Sequence, residues 1–279
     1  MCARRTPPRS NVTTIERMAS SLSSPSGRPS RLHLFDLDGT LIHGSSAAVE
    51  ISHQLGLDDE IRELELAFAA GGMTPPDFAA RACAMWSELT EDHVTAAFLE
   101  APWLSGIREV WDDIRERGER SAVISLSPDF FVSRLLVQAP RPRAARGAAD
   151  TAADTAGPAR RTDLRADAVT DAVADARGRG ADATYGSRWP AVPFREVPDP
   201  AGILSAEAKV RIADELCAQF GVSRSECVAY GDSMSDAALF AAVPVSVAVN
   251  GDGHLRGLAS AEYEGEDLRE AYGLVRKGP

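Results

Sequence analysis

Arg31 to Asp36 reads Arg-Leu-His-Leu-Phe-Asp, and the chain continues from Asp36 as Asp-Leu-Asp-Gly-Thr-Leu. A short apolar run that ends in an acid suits a strand buried on both faces, as in a parallel sheet. Two acids one residue apart at the tip of such a strand can divide labour, and the complete Asp-x-Asp-Gly-Thr-Leu string after Leu-His-Leu-Phe argues against a plain strand-ending turn. The first acid is placed to act as a nucleophile and the second to give and take a proton. Gly39 lets the chain bend sharply and aim backbone N–H groups at an anion.

Similar runs recur along the chain. Ala122-Val123-Ile124-Ser125 ends in a hydroxyl, Cys227 to Asp232 ends in a second acid, and Val245 to Val249 is followed by Asn250-Gly251. Helical patterns lie between them. Ile107, Val110, Trp111 and Ile114 form one apolar stripe over Ile107 to Arg117. A second helix is expected from Ser205, as N-cap, to Phe220, with Gly221 as its stop. Strands alternating with helices imply an α/β architecture with a Rossmann-like parallel sheet, whose site forms at the carboxyl ends of the strands.

Positions 44–104 differ. Ala47 to Leu55, Asp58 to Ala70 and Pro76 to Leu89 are amphipathic and no strand is evident, so this segment reads as a helical cap inserted after the first strand. The core then comprises 31–43, 105–137 and 181–275. Segment 138–180 is an Ala/Asp/Arg-rich stretch with almost no large apolar residue, too poor in apolar surface to offset its ordering entropy, and is read as a low-complexity insertion without stable structure. Residues 1–30 read as an unstructured tail with no apolar signal region, and Met18 is an alternative start.

The formal net charge of −11 argues against nucleic acid as the main partner. No apolar run approaches a bilayer span. Cys2, Cys83, Cys217 and Cys227 form no C-x-x-C pair and no zinc spacing, and Cys83, Cys217 and Cys227 fit a helix or strand interior in a reducing compartment. A cytoplasmic protein acting on a small phosphorylated metabolite is the expectation.

Taken singly, Ser125 could be a turn hydroxyl, Lys209 a solvated helix residue, and Asp232 and Asp236 a turn acid and a helix N-terminal acid. Their order is more telling. Asp36-Leu37-Asp38-Gly39-Thr40-Leu41, the strand-end Ser125, Lys209 and Gly231-Asp232-Ser233-Met234-Ser235-Asp236 together resemble the four motifs of the haloacid dehalogenase superfamily, in its phosphoserine-phosphatase-like branch with a helical C1-type cap. The resemblance covers Arg31 to Val137 and Gly186 to about Tyr272. It implies a phosphatase that works through an aspartyl-phosphate: Asp36 as nucleophile, Asp38 as acid and base, Ser125 and Lys209 on the phosphate. It also implies Mg2+ on Asp36, Asp232 and the Asp38 carbonyl, with Asp236 orienting the metal's surroundings.

The chain departs from the phosphoserine pattern in two places. Ser45 stands where the resembling enzymes have a glutamate nine residues after the nucleophile, and Met85 stands where they have a carboxylate-clamping arginine; Arg81 lies one helical turn early. The expected substrate is therefore a small organic phosphate without an amino-acid head, with His43 and Ser45 as candidate substrate contacts. Met73, Phe78, Met85 and Trp86 are expected to form cap core, and His254 is assigned no function. Phosphoserine phosphatase proper and a non-catalytic protein that keeps the fold are the alternatives. A dehalogenase is disfavoured by Asp38, since carbon–halogen cleavage needs no acid for an alkoxide, and nothing argues for a mutase.

Overall fold

The computed structural model describes residues 30–140, 142 and 180–276. The tail 1–29, with Cys2 and Met18, and most of the segment read as an insertion lie outside the described residues.

Six parallel strands form one sheet in the order β3-β2-β1-β4-β5-β6: β1 Leu32–Phe35, β2 Arg120–Pro128, β3 Ala183–Ser187, β4 Cys227–Gly231, β5 Val245–Val249 and β6 Ala261–Tyr263. β1 sits in the middle, paired with β2 (Phe35 beside Val123) and with β4 (Phe35 beside Tyr230). The strand alternation places two apolar layers on opposite faces. Leu32, Leu34, Ala122, Ile124 and Ala229 pack against the helix Ala208–Phe220 on one side. Phe35, Val123, Val228 and Tyr230 pack against α5 (Ile107–Glu116) on the other. The stripe read from the sequence is the buried face of α5: Ile107, Val110, Trp111 and Ile114.

Residues between β1 and α5 form four helices: α1 Ala47–Leu55, α2 Asp58–Ala69, α3 Pro75–Met85 and α4 Glu91–Glu100. Ser46 caps α1, and α3 and α4 begin with capping boxes at Thr74 and Thr90. The sequence reading ran α3 on to Leu89, whereas the helix ends at Met85, because Trp86 turns into the interior and its indole N–H donates to Ser52 Oγ at 2.8 Å. The helix expected from Ser205 begins at Ala208, with a turn in which the Ala208 N–H donates to the Ser205 carbonyl. The cap's apolar residues and the α5 face of the sheet belong to one continuous cluster. Two adjacent linkers join them, held by the Ile42–Trp103 bridge and by the His43 N–H donating to the Pro102 carbonyl.

Candidate active site

β1, β2 and β4 are neighbours, so their carboxyl ends deliver Asp36, Ser125 and Asp232 to one edge. Lys209 reaches that edge from the first turn of the helix Ala208–Phe220. Its Nζ donates to Asp36 Oδ1 at 2.8 Å, Asp236 Oδ1 at 2.7 Å and Ser235 Oγ at 3.1 Å, and the residue is 1 % exposed. Burial alone would lower the ammonium, but the carboxylates of Asp36 and Asp236 outweigh it and hold it above its usual value.

Asp36, Asp232 and Asp236 offer carboxylate oxygens that lie within 4.8 Å of one another. Burial, then the neighbouring Asp236, raises Asp36 well above the ordinary carboxylate range, against the pull of Lys209. The same two causes push Asp232 up to about 7. Asp236 is already satisfied: it holds Lys209 and accepts from the Asp232 N–H. Asp232 is not, because its Oδ1 is buried with no hydrogen-bond partner. An orphaned carboxylate oxygen beside two further acids has the donor chemistry a hard divalent cation requires. Gly39 makes this approach feasible. Its φ is +75°, and a Cβ there would stand 2.0 Å from Asp232 Oδ2.

Asp38 is partly exposed to the site and held by three donors. Oδ1 accepts from the Ala47 N–H at the start of α1 (2.7 Å), and Oδ2 accepts from Ser127 Oγ (2.6 Å) and Ser125 Oγ (3.3 Å). Burial raises its carboxyl, and these hydrogen bonds only partly offset the shift.

No family model matches this chain, and no curated protein matches it. Solved structures do. A phospho-aspartyl intermediate analogue of phosphoserine phosphatase covers 88% of this chain and 99% of its own at 18% identity, with a TM-score of 0.61. A HAD family hydrolase from Salmonella enterica serovar Typhi covers 89% and 72% at 17% identity, with a TM-score of 0.63. A probable phosphoserine phosphatase from Vibrio cholerae covers 84% and 61% at 15% identity, with a TM-score of 0.55. The chain has the phosphoserine-phosphatase fold.

Within that fold, a cavity of about 700 Å³ lies between the strand tips and the cap. Asp36, Asp38, Lys209 and Asp232 line its floor, and α1, α2, α3 and the segment after β3 supply its walls. Ser125 is fully buried and is not part of the lining; Ser127, two residues along β2, is. Ser45 lines the cavity and donates to Glu50 at 2.6 Å. His43 lies outside the lining, at the cap linker, with its Nδ1 3.2 Å from Asn250 Nδ2. Phe78 and Trp86 line the cavity while also packing in the cap interior; Met73 and Met85 only pack. Sequence reasoning passed over Ser127, Glu65 and Trp189. The proline after Ser127 is the one local sign of a turn there; Glu65 and Trp189 carry none.

Proposed function

We propose that this protein is a Mg2+-dependent phosphomonoesterase that forms an aspartyl-phosphate on Asp36. The observation that carries this reading is the placement of Lys209 between Asp36 and Asp236, beside the orphaned Asp232 oxygen, on the floor of a capped cavity. Lys209 holds Asp36 Oδ1, which fixes the carboxylate and leaves Oδ2 to attack phosphorus. As the O–P bond to Asp36 forms and the ester P–O bond breaks, Asp38 gives its proton to the leaving oxygen. Its raised affinity for that proton suits it to an acid's role. Asp38 then takes a proton from water, which attacks phosphorus and releases Asp36 and phosphate.

Asp36, Asp232 and the Asp38 carbonyl would hold Mg2+, with Asp236 as a positioning residue that holds Lys209. The ion neutralises the repulsion between these carboxylates and the phosphate dianion. Ser127, which faces the cavity, would exchange its 2.6 Å bond to Asp38 for one to the phosphate, and Ser125 orients it by accepting the Ser127 N–H at 3.0 Å. Catalysis is then mainly positioning and charge stabilisation.

Phosphoserine is a poor fit to the cavity. Arg62 is the only arginine in the lining among the described residues, and it is two-thirds exposed and paired with Asp59 at 2.9 Å. Arg81 and Met85 lie outside the lining. A non-catalytic role would not require the intact set of Asp36, Asp38, Lys209 and Asp232. Release of phosphate from p-nitrophenyl phosphate tests the reading: turnover with Mg2+, lost with EDTA and in Asp36→Asn, is expected. Absence of turnover in folded wild-type protein with Mg2+ would refute it.

A further inference from the structure

One wall of the cavity, near Asp38, bears on what the ester carries. Glu65 on α2 lines it, accepts from Ser46 Oγ at 2.6 Å, and has no cationic partner among the described residues. Aromatic side chains line the same cavity. Phe68 and Phe78 pack with centroids 5.3 Å apart, and Trp189, from the segment after β3, stacks on Trp86 at 5.3 Å. Of the eleven Asp and Glu at positions 44–104, Asp58 and Glu65 line the cavity, together with Arg62, which is exposed and paired with Asp59. A partly buried carboxylate with no counter-charge favours a cationic group beside it. Aromatic faces bind alkylammonium groups through their quadrupole.

From this wall we infer that the preferred substrate is the phosphate monoester of a cationic amino alcohol with no second anionic group, its ammonium held by Glu65 among the cap aromatics. The inference rests on the phosphomonoesterase reading and specifies the leaving group. Burial and the nearby Asp38 both raise the Glu65 carboxyl, against the Ser46 hydrogen bond, so a cation at this position relieves an existing strain in the charge distribution. Phosphoserine adds a carboxylate to the same wall, where the one arginine among the described lining residues, Arg62, is already paired with Asp59.

The test compares phosphocholine with 3,3-dimethylbutyl phosphate, its neutral carbon isostere, and with phosphoserine; p-nitrophenyl phosphate serves as a reference ester. A kcat/KM for phosphocholine about tenfold or more above the neutral isostere is expected from desolvated cation–π and ion-pair contacts, with phosphoserine below both. Glu65→Gln keeps the acceptor for Ser46, and it should bring the phosphocholine-to-isostere ratio toward one. Its folding is checked by the melting temperature and the Mg2+-induced rise in it. An equal rate for the two isosteres, a ratio unchanged in Glu65→Gln, or turnover of the reference ester alone would each overturn the inference while leaving the phosphatase reading in place. Turnover of none of the four esters would overturn the phosphatase reading itself.

Discussion

At the scale of single residues, the site balances one buried cation against several buried acids. Lys209 is almost inaccessible, so its loss leaves Asp36 and Asp236 facing each other without a counter-charge. Lys209→Ala is expected to lower stability by about 3 kcal/mol and to abolish turnover, both readable from a denaturant melt and a phosphate-release assay. Asp232 behaves in the opposite sense. Its folded value of about 7 lies above its ordinary 3.8, so the stability it contributes is complete below 3.8 and is lost as pH rises through 7. In EDTA at pH 8, Asp232→Asn should therefore melt above the parent, by roughly 3 °C, and should lose the rise that Mg2+ gives the parent. A lower melting temperature for the variant would refute the account of Asp232 as an uncompensated charge. Ser127→Ala should reduce kcat/KM by about tenfold or more if its hydroxyl meets the phosphate; an unchanged rate would return that role to Ser125.

At the scale of elements, β1 is secured at its sides as well as at its tip. His33 on β1 bonds Tyr230 on β4 (3.1 Å) and Glu119, just before β2 (2.9 Å), and Arg276 of the C-terminal helix Leu268–Arg276 closes the network on Glu119. Burial alone would raise the Glu119 carboxyl, but the hydrogen bonds from His33 and Arg276 outweigh it and hold it at about 2. The sign follows: the stability is present above 4.5 and is lost as pH falls from 4.5 toward 2, about 3 kcal/mol in all. Glu119→Gln should lose most of that stability at neutral pH and show a shallower acid-unfolding profile between those limits. Turns matter as much as strands. Gly39→Ala would force a Cβ into Asp232 at a left-handed φ, so both activity and the Mg2+-induced rise in melting temperature should disappear. β3 and β6 escaped the sequence reading for a physical reason. Ala-Thr-Tyr-Gly-Ser is too weakly apolar, and Ala-Glu-Tyr too short, to show a period, and they become strands by pairing with β2 and β5.

At the scale of the molecule, the cap and the core share one apolar cluster. Trp189 joins the segment after β3 to Trp86 at the end of α3, with Phe130 and Phe194 around it. Trp189→Ala should cost about 3 kcal/mol and raise KM more than it lowers kcat, since it removes a cavity wall and leaves the strand-tip acids intact. No helix among the described residues is long and apolar enough to cross a membrane. Cys83, Cys217 and Cys227 are buried and free, as read from their apolar surroundings. The sequence by itself determined the alternation of strands and helices, the capped α/β plan, and the strand tips at which the acids gather. Those features are local: a buried strand, an amphipathic stripe and a glycine turn each leave a short-range pattern in residue order. Only the tertiary structure decided that Ser127 rather than Ser125 faces the cavity, that His43 turns to Asn250, and that Glu65 and Trp189 form part of the cavity wall. Each depends on which side chain a distant segment leaves exposed, and no periodicity within one element encodes that.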